Sequence, residues 1–237
     1  PESPAINFRG LLLLMAGFSL LIVLILFHYG SVVWEMGQRD MSLPLITPAL
    51  PDPLAFKSLR SLWQFTQQQI WRLGLAVVVL GGILWRRWFS LRAIAVVLSL
   101  CFGTILANNW VRIFQGWFGV PFSQIDPIYN HDAGFYVFTL PLWQILDFWF
   151  EGLFLYGLVS VTLYYLLSGD SFSQGQFPGF SPAHLRHLNL LAGLLFLAVA
   201  GRHWLVRYEL LYSKLGVVYG VSYTNINVDQ HVEILLT

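Results

Sequence analysis

Twenty successive residues, Gly10 to Tyr29 (GLLLLMAGFSLLIVLILFHY), contain no acid, lysine or arginine. About 20 apolar residues in a helix match the thickness of a bilayer's hydrocarbon core. Inside that core every backbone polar group must be paired within the protein, which leaves helices and closed barrels. Further apolar runs follow at 70–85, 91–110, 135–167 and 188–205. The 237 residues carry only 13 Lys+Arg and 12 Asp+Glu: 11% are charged, 57% are hydrophobic, and the mean hydropathy is +0.64. A soluble domain uses roughly 25% charged residues. The solvent that fits this chain is lipid, and the pattern predicts an all-α, polytopic transmembrane helical bundle in a single membrane domain over 1–237.

The span at 10–29 looks like a signal-peptide core, but it is long and no A-x-A site follows, so it reads as a retained anchor. The 70–85 run is short. Arg72 near its start and Arg86-Arg87 at its end can snorkel into the headgroups. The third span is 91–110. The region 135–167 is too long for one simple span and carries Pro141, Asp147 and Glu151. Proline lacks an N–H and disfavours a helical residue before it, so a break is expected at Leu140 to Trp143. That divides the region into a membrane-entering aromatic segment, 135–143, and a span over 148–167. The fifth span is 188–205. Between the first two, Pro44, Pro48, Pro51 and Pro53 exclude a regular helix. The stretch 54–69 then places Phe56, Leu59, Trp63 and Ile70 on one side and Lys57, Ser61, Gln64 and Gln68 on the other, an interfacial amphipathic helix.

Lys and Arg favour the cytoplasmic side. The tightest cluster, Arg86, Arg87 and Arg92, puts the turn between spans two and three inside, which places the N-terminus in the cytoplasm and Val111 to Gly134 outside. A net charge of +1 gives no field for nucleic acid. One cysteine, Cys101, excludes an internal disulfide or a cysteine-based zinc cluster, and it sits in an apolar run where packing is its role. The start at Pro1 and the end within the apolar stretch Val232 to Leu236 predict a piece of a longer product.

Three groups of residues are chemically suggestive. Asp126, His131 and Asp132, in FSQIDPIYNHDAGFYVFTLP, could hold a cation or proton, or could cap helices and close turns. The structural reading is preferred, because three ligands in one loop do not define a site. Asp147 and Glu151, spaced i and i+4, share a helix face. Acids within a span need partners, water or protons; Arg202 and Arg207 are the cations at matching depth. Either an ion-pair network or a proton or ion relay fits, and the network is preferred. His28 and His203 lie near span ends and could ligate haem or chlorophyll. No metal signature, P-loop, G-x-G-x-x-G, H-E-x-x-H or G-x-S-x-G occurs. The chain reads as a non-enzymatic component that contacts the lipid bilayer and other integral membrane proteins. A transporter and a pigment- or haem-binding subunit are the alternatives.

Two stretches carry a resemblance: DPIYNHDAGFYVFTLP, Asp126 to Pro141, and RYELLYSKLGVVYGVSYTNINV, Arg207 to Val228. Together they resemble uncharacterised protein family 0182, large multi-spanning bacterial membrane proteins whose pattern has D-P, a second Asp, F-Y-x-F-x-L-P, R-Y-x-L-L-Y-S and G-x-x-Y-T. Ser123 stands where that pattern has Gly, and Asn225 where Asp follows Y-T. The resemblance implies roughly seven spans and then a large extracytoplasmic domain, an architecture rather than an activity. With members in photosynthetic and other bacteria, the resemblance implies a bacterial inner (plasma) or thylakoid membrane; the lack of catalytic motifs and the aromatic-rich helical surface point to an accessory, scaffold or assembly subunit of a larger membrane complex, a photosynthetic one among the settings.

Overall fold

The structure is a computed structural model and describes residues 6–37, 70–167, 176–177, 179–212 and 230–236. The interfacial helix expected at 54–69 lies outside the described residues.

The described chain is helical nearly throughout. A two-residue strand β1 (Ile6–Asn7) leads into α1 (Phe8–Gly37). Then come α2 (Ile70–Trp85), α3 (Arg87–Asn108), the short α4 (Trp110–Phe118), a π-helical turn (Phe135–Thr139) running into α5 (Leu140–Leu167), strand β2 (Gln176–Phe177), α6 (Pro182–Glu209), a 3₁₀ turn (Leu210–Tyr212) and α7 (Gln230–Leu236). The strands pair antiparallel, Ile6 with Phe177 and Asn7 with Gln176. Four helical stretches are long and apolar enough to cross a membrane: Arg9–Trp34, Phe89–Asn108, Phe135–Leu167 and Pro182–Glu209. At 16 residues, α2 is shorter; at about 1.5 Å per residue it extends about 24 Å.

The chain divides into two compact units. The first gathers α1, α2, most of α3, the second half of α5 and the start of α6. Its core is aliphatic, with Leu11, Met15, Ile22, Ile83, Leu98 and Leu163 buried. The Tyr29 ring lies 4.6 Å from that of Phe102. Both press on Gly152, where a Cβ would overlap the Tyr29 hydroxyl and stand 2.6 Å from Phe102 Cζ. At Arg86 the chain makes a corner: the Gly82 carbonyl accepts from Arg86 N at 2.9 Å and from Ser90 Oγ at 2.7 Å. Eight residues along a straight helix would be about 12 Å apart, so the second bond requires a sharp turn. At the start of α6, Ser181 Oγ accepts from His184 N at 3.2 Å ahead of Pro182 at the first helical position, a favoured pairing of cap and proline.

The second unit holds α4, the π turn, the first half of α5, the rest of α6 and α7. Its described core is Tyr136, Leu140, Leu205 and Tyr208, with Tyr129, Phe135 and Leu211 against it.

One expectation is corrected here. No non-helical break occurs at Leu140–Trp143. The irregularity is instead the π turn just before Pro141, where Leu140 N–H donates to Phe135 O, five residues back. A proline within an α-helix clashes with the carbonyl four residues earlier and cannot donate. The wider π turn moves those carbonyls aside and keeps the helix continuous. The interval 111–134, assigned from sequence to the outer side, begins within helix α4.

Candidate functional site

The polar residues singled out around 126–132 form a folded loop in the second unit. Pro127 fixes φ for a turn, and Asp126 closes it: its Oδ2 accepts from Tyr129 N at 2.7 Å and from Tyr136 Oη at 2.9 Å. Asp126 N donates to His131 O at 2.8 Å and Ala133 N to Gln124 O at 2.7 Å, which pairs the two arms of the loop. Asp132 starts the next helix. Its Oδ1 accepts from Gly134 N at 2.7 Å and Phe122 N at 2.9 Å. These bonds, with Phe122 first, hold its carboxyl below the ordinary value of 3.8. Two positions have left-handed backbone, Ser123 at φ 59° and Asn130 at φ 55°. Asn tolerates that region; Ser does so at greater cost.

The loop docks on the end of α6. Tyr129 Oη donates to the Arg207 carbonyl at 2.8 Å, and His131 Nε2 lies 3.3 Å from Tyr208 Oη. The His131 ring stacks on Phe135 at 4.3 Å. The Arg207 guanidinium lies 3.2 Å from the Trp204 ring centroid and donates to Tyr208 Oη at 2.6 Å. Burial raises the Tyr129 phenol above its ordinary value, against the opposing effect of the Arg207 charge. The two sequence stretches that carry the family resemblance therefore meet: the loop from the first seats on Arg207 and Tyr208 of the second.

Further along α5 lies a polar seam. On α5, Gln144, Asp147 and Glu151 follow at i, i+3 and i+7, a spacing that keeps them on one face. Gln144 Nε2 donates to Glu209 Oε1 at 2.8 Å, and Arg202 Nη1 reaches the same oxygen at 3.3 Å. Asp147 is 8% exposed and Glu151 1%. Asp147 Oδ1 faces α6 at Gly201, 3.3 Å from where a Cβ would stand.

Of the residues singled out from sequence, Asp126, His131, Asp132, Asp147, Glu151, Arg202, His203 and Arg207 all fall in the second unit. Asp126 and His131 join Arg207 through Tyr129, Tyr136 and Tyr208, which the sequence reading had not selected. Arg202 has Glu209 as its ion-pair partner, a residue also missed; its place two residues after Arg207 in RYELLYS was the available signal. His28 is buried in α1 of the first unit, its ring 5.1 Å from that of Tyr29, edge on. His203 is half-buried on α6. No group of three or more His, Cys, Asp or Glu able to hold a metal ion occurs among the described residues.

Long apolar helices and outward-facing apolar side chains such as Phe196 and Leu197 on α6 define a helical protein of the membrane class. The particular family follows from comparison: the chain belongs to the Uncharacterised protein family (UPF0182), whose model matches residues 12–237. It is similar to a UPF0182 protein of Nostoc sp., 50% identical over 93% of this chain and 22% of that protein. It is also similar to UPF0182 proteins of Microcystis aeruginosa, 40% identical over 100% of this chain and 25% of that protein, and of Synechocystis sp., 39% identical over 92% and 21%. The chain thus spans about a fifth to a quarter of the length of these curated relatives. No solved structure matches.

Proposed function

We propose that this chain is the membrane part of a multi-pass, non-enzymatic protein that serves as an accessory or assembly component of a larger membrane complex, with its N-terminus in the cytoplasm. The observation that carries this reading is the use made of the loop's acids. Asp126 and Asp132 accept bonds from Tyr129, Tyr136, Phe122 and Gly134, which hold the loop to itself and to the next helix. Glu209 receives Gln144 and Arg202 in the same way. These groups are spent on architecture. Extraction in mild detergent followed by identification of copurifying membrane proteins tests the reading; recovery of the protein alone, with no cross-linked neighbour in intact membranes, would count against it. For orientation, a cysteine replacing Arg87 should be labelled only from the cytoplasmic side.

Transport is the second reading, and the burial of Asp147 and Glu151 one turn apart in an apolar helix favours it. Intramembrane carboxylates mark ion and proton paths in many transporters. Under the assembly reading, Glu151→Gln lowers thermal stability and complex yield. An ion or proton flux in proteoliposomes that Glu151→Gln abolishes, with melting unchanged, would replace assembly by transport. An absorbance spectrum of the purified protein tests pigment or haem at His28 and His203.

A further inference from the structure

We infer that α4, Trp110–Phe118, lies in the plane of the membrane at its water boundary and seats an uncharged aromatic face among lipids, at the junction of headgroups and acyl chains. At nine residues it is about 13.5 Å long, far short of a hydrocarbon core of about 30 Å. One of its sides is occupied by protein. A Cβ at Gly116 would stand 2.6 Å from Leu142 Cβ, and one at Gly119 would stand 2.9 Å from Phe138 Cβ. The backbone of α4 therefore rests directly on the first turns of the membrane-crossing stretch Phe135–Leu167.

The opposite side is a ridge of rings. Trp110, Phe114 and Phe118 recur at i, i+4 and i+8, with centroids 6.0 and 6.1 Å apart. Trp117 beside them is 75% exposed and Phe118 74%. Helical geometry at about 100° per residue gathers these four rings into one arc and puts Arg112 and Gln115 outside it. Arg112 is the only charged residue of the helix, so the ridge itself carries no charge.

Depth follows from what flanks α4. It begins at Trp110, separated from the end of the membrane-crossing stretch Phe89–Asn108 by a single residue, Asn109, whose φ −107° and ψ 15° end the α-helical geometry. It packs at the level of residues 138–142, where the crossing stretch that starts at Phe135 begins. A helix tied to the end of one span and the start of the next lies at the membrane boundary. Trp and other amphipathic aromatics concentrate at that level, and in-plane helices bury their apolar face there. A ridge without charge recognises the lipid boundary through its rings and takes nothing from headgroup charge.

The test places a spin label at Phe114→Cys and at Trp117→Cys, in a Cys101→Ser background of the full-length protein, in phosphatidylcholine proteoliposomes. Val111→Cys, also exposed on α4, replaces either variant that loses the parent's melting temperature. Collision rates with oxygen and with a water-soluble nickel chelate are compared. Oxygen should dominate at both sites, at a depth of about 5–10 Å below the headgroups, with a label at Gln115→Cys shallower. Adding phosphatidylglycerol should leave the depth unchanged. Dominance of the nickel chelate at 114 and 117 would show that the ridge faces water and would overturn the inference. Exclusion of both reagents would show that another protein covers it and would overturn it equally, as would a depth that moves with lipid charge.

Discussion

An oxygen of the Asp147 carboxylate stands 3.3 Å from the point that a side-chain carbon on Gly201 would occupy. The acid on α5 thus meets α6 at a position without a side chain, one residue before Arg202. Gly201→Ala requires the carboxylate to yield by a few tenths of an ångström and should cost less than about 1 kcal/mol, whereas Gly201→Val should cost about 1–3 kcal/mol through overpacking. Thermal melting in detergent separates the two. Equal, negligible losses would mean that the carboxylate moves freely.

Gly152 is the tighter case. A methyl group there overlaps the Tyr29 hydroxyl and crowds Phe102, and both rings belong to the core. Gly152→Ala should destabilise by roughly 1–3 kcal/mol. Adding Tyr29→Leu, which removes the overlapping ring, should recover part of that loss in a double-mutant cycle.

Ser123 holds a left-handed backbone, φ 59°, where an L-residue is strained by roughly 1–2 kcal/mol. Glycine is at ease there but loses more entropy on folding. Ser123→Gly should therefore stabilise by about 0.5–1 kcal/mol, read as a rise in melting temperature. Ser123→Ala, which keeps the strain, should give no gain.

Asp132 predicts a pH dependence. Its carboxyl is held below 3.8, first by the Phe122 amide and then by that of Gly134. A depressed folded-state value stabilises the fold at pH above the unfolded value, and that contribution is lost as pH falls through the folded value. Stability should therefore decline below about pH 4, the ordinary aspartate range. Asp132→Asn should melt lower at neutral pH and show a flatter acid limb. Parallel acid limbs in the two proteins would assign the decline to other groups.

Much of the helical scaffold was legible because the requirement is local. In lipid, a run of about 20 apolar residues satisfies its backbone polar groups as a helix, and α1, α3, α5 and α6 lie where such runs lie. The preference for turn and cap roles at Asp126 and Asp132 was also readable, since Asp-Pro and Asp-x-Gly bias the backbone around themselves. Helix α4 is not among the elements expected from sequence, although Trp110, Phe114 and Phe118 stand at helical spacing, because a span over 91–110 and an outer segment over 111–134 divide it at Trp110.

What composition and spacing determined by themselves is the class: a helical membrane chain with acids at 126, 132, 147 and 151 and cations at 202 and 207. Tertiary structure alone decided who meets whom. Tyr129 reaches the Arg207 carbonyl across 78 residues of sequence, Gln144 of α5 donates to Glu209 of α6, and Asp147 faces Gly201. Helix formation depends on neighbours within a few residues, whereas these pairings depend on how helices rotate and slide against one another. That choice is made by the packing of rings and glycines from distant parts of the chain, and no periodicity within one segment encodes it.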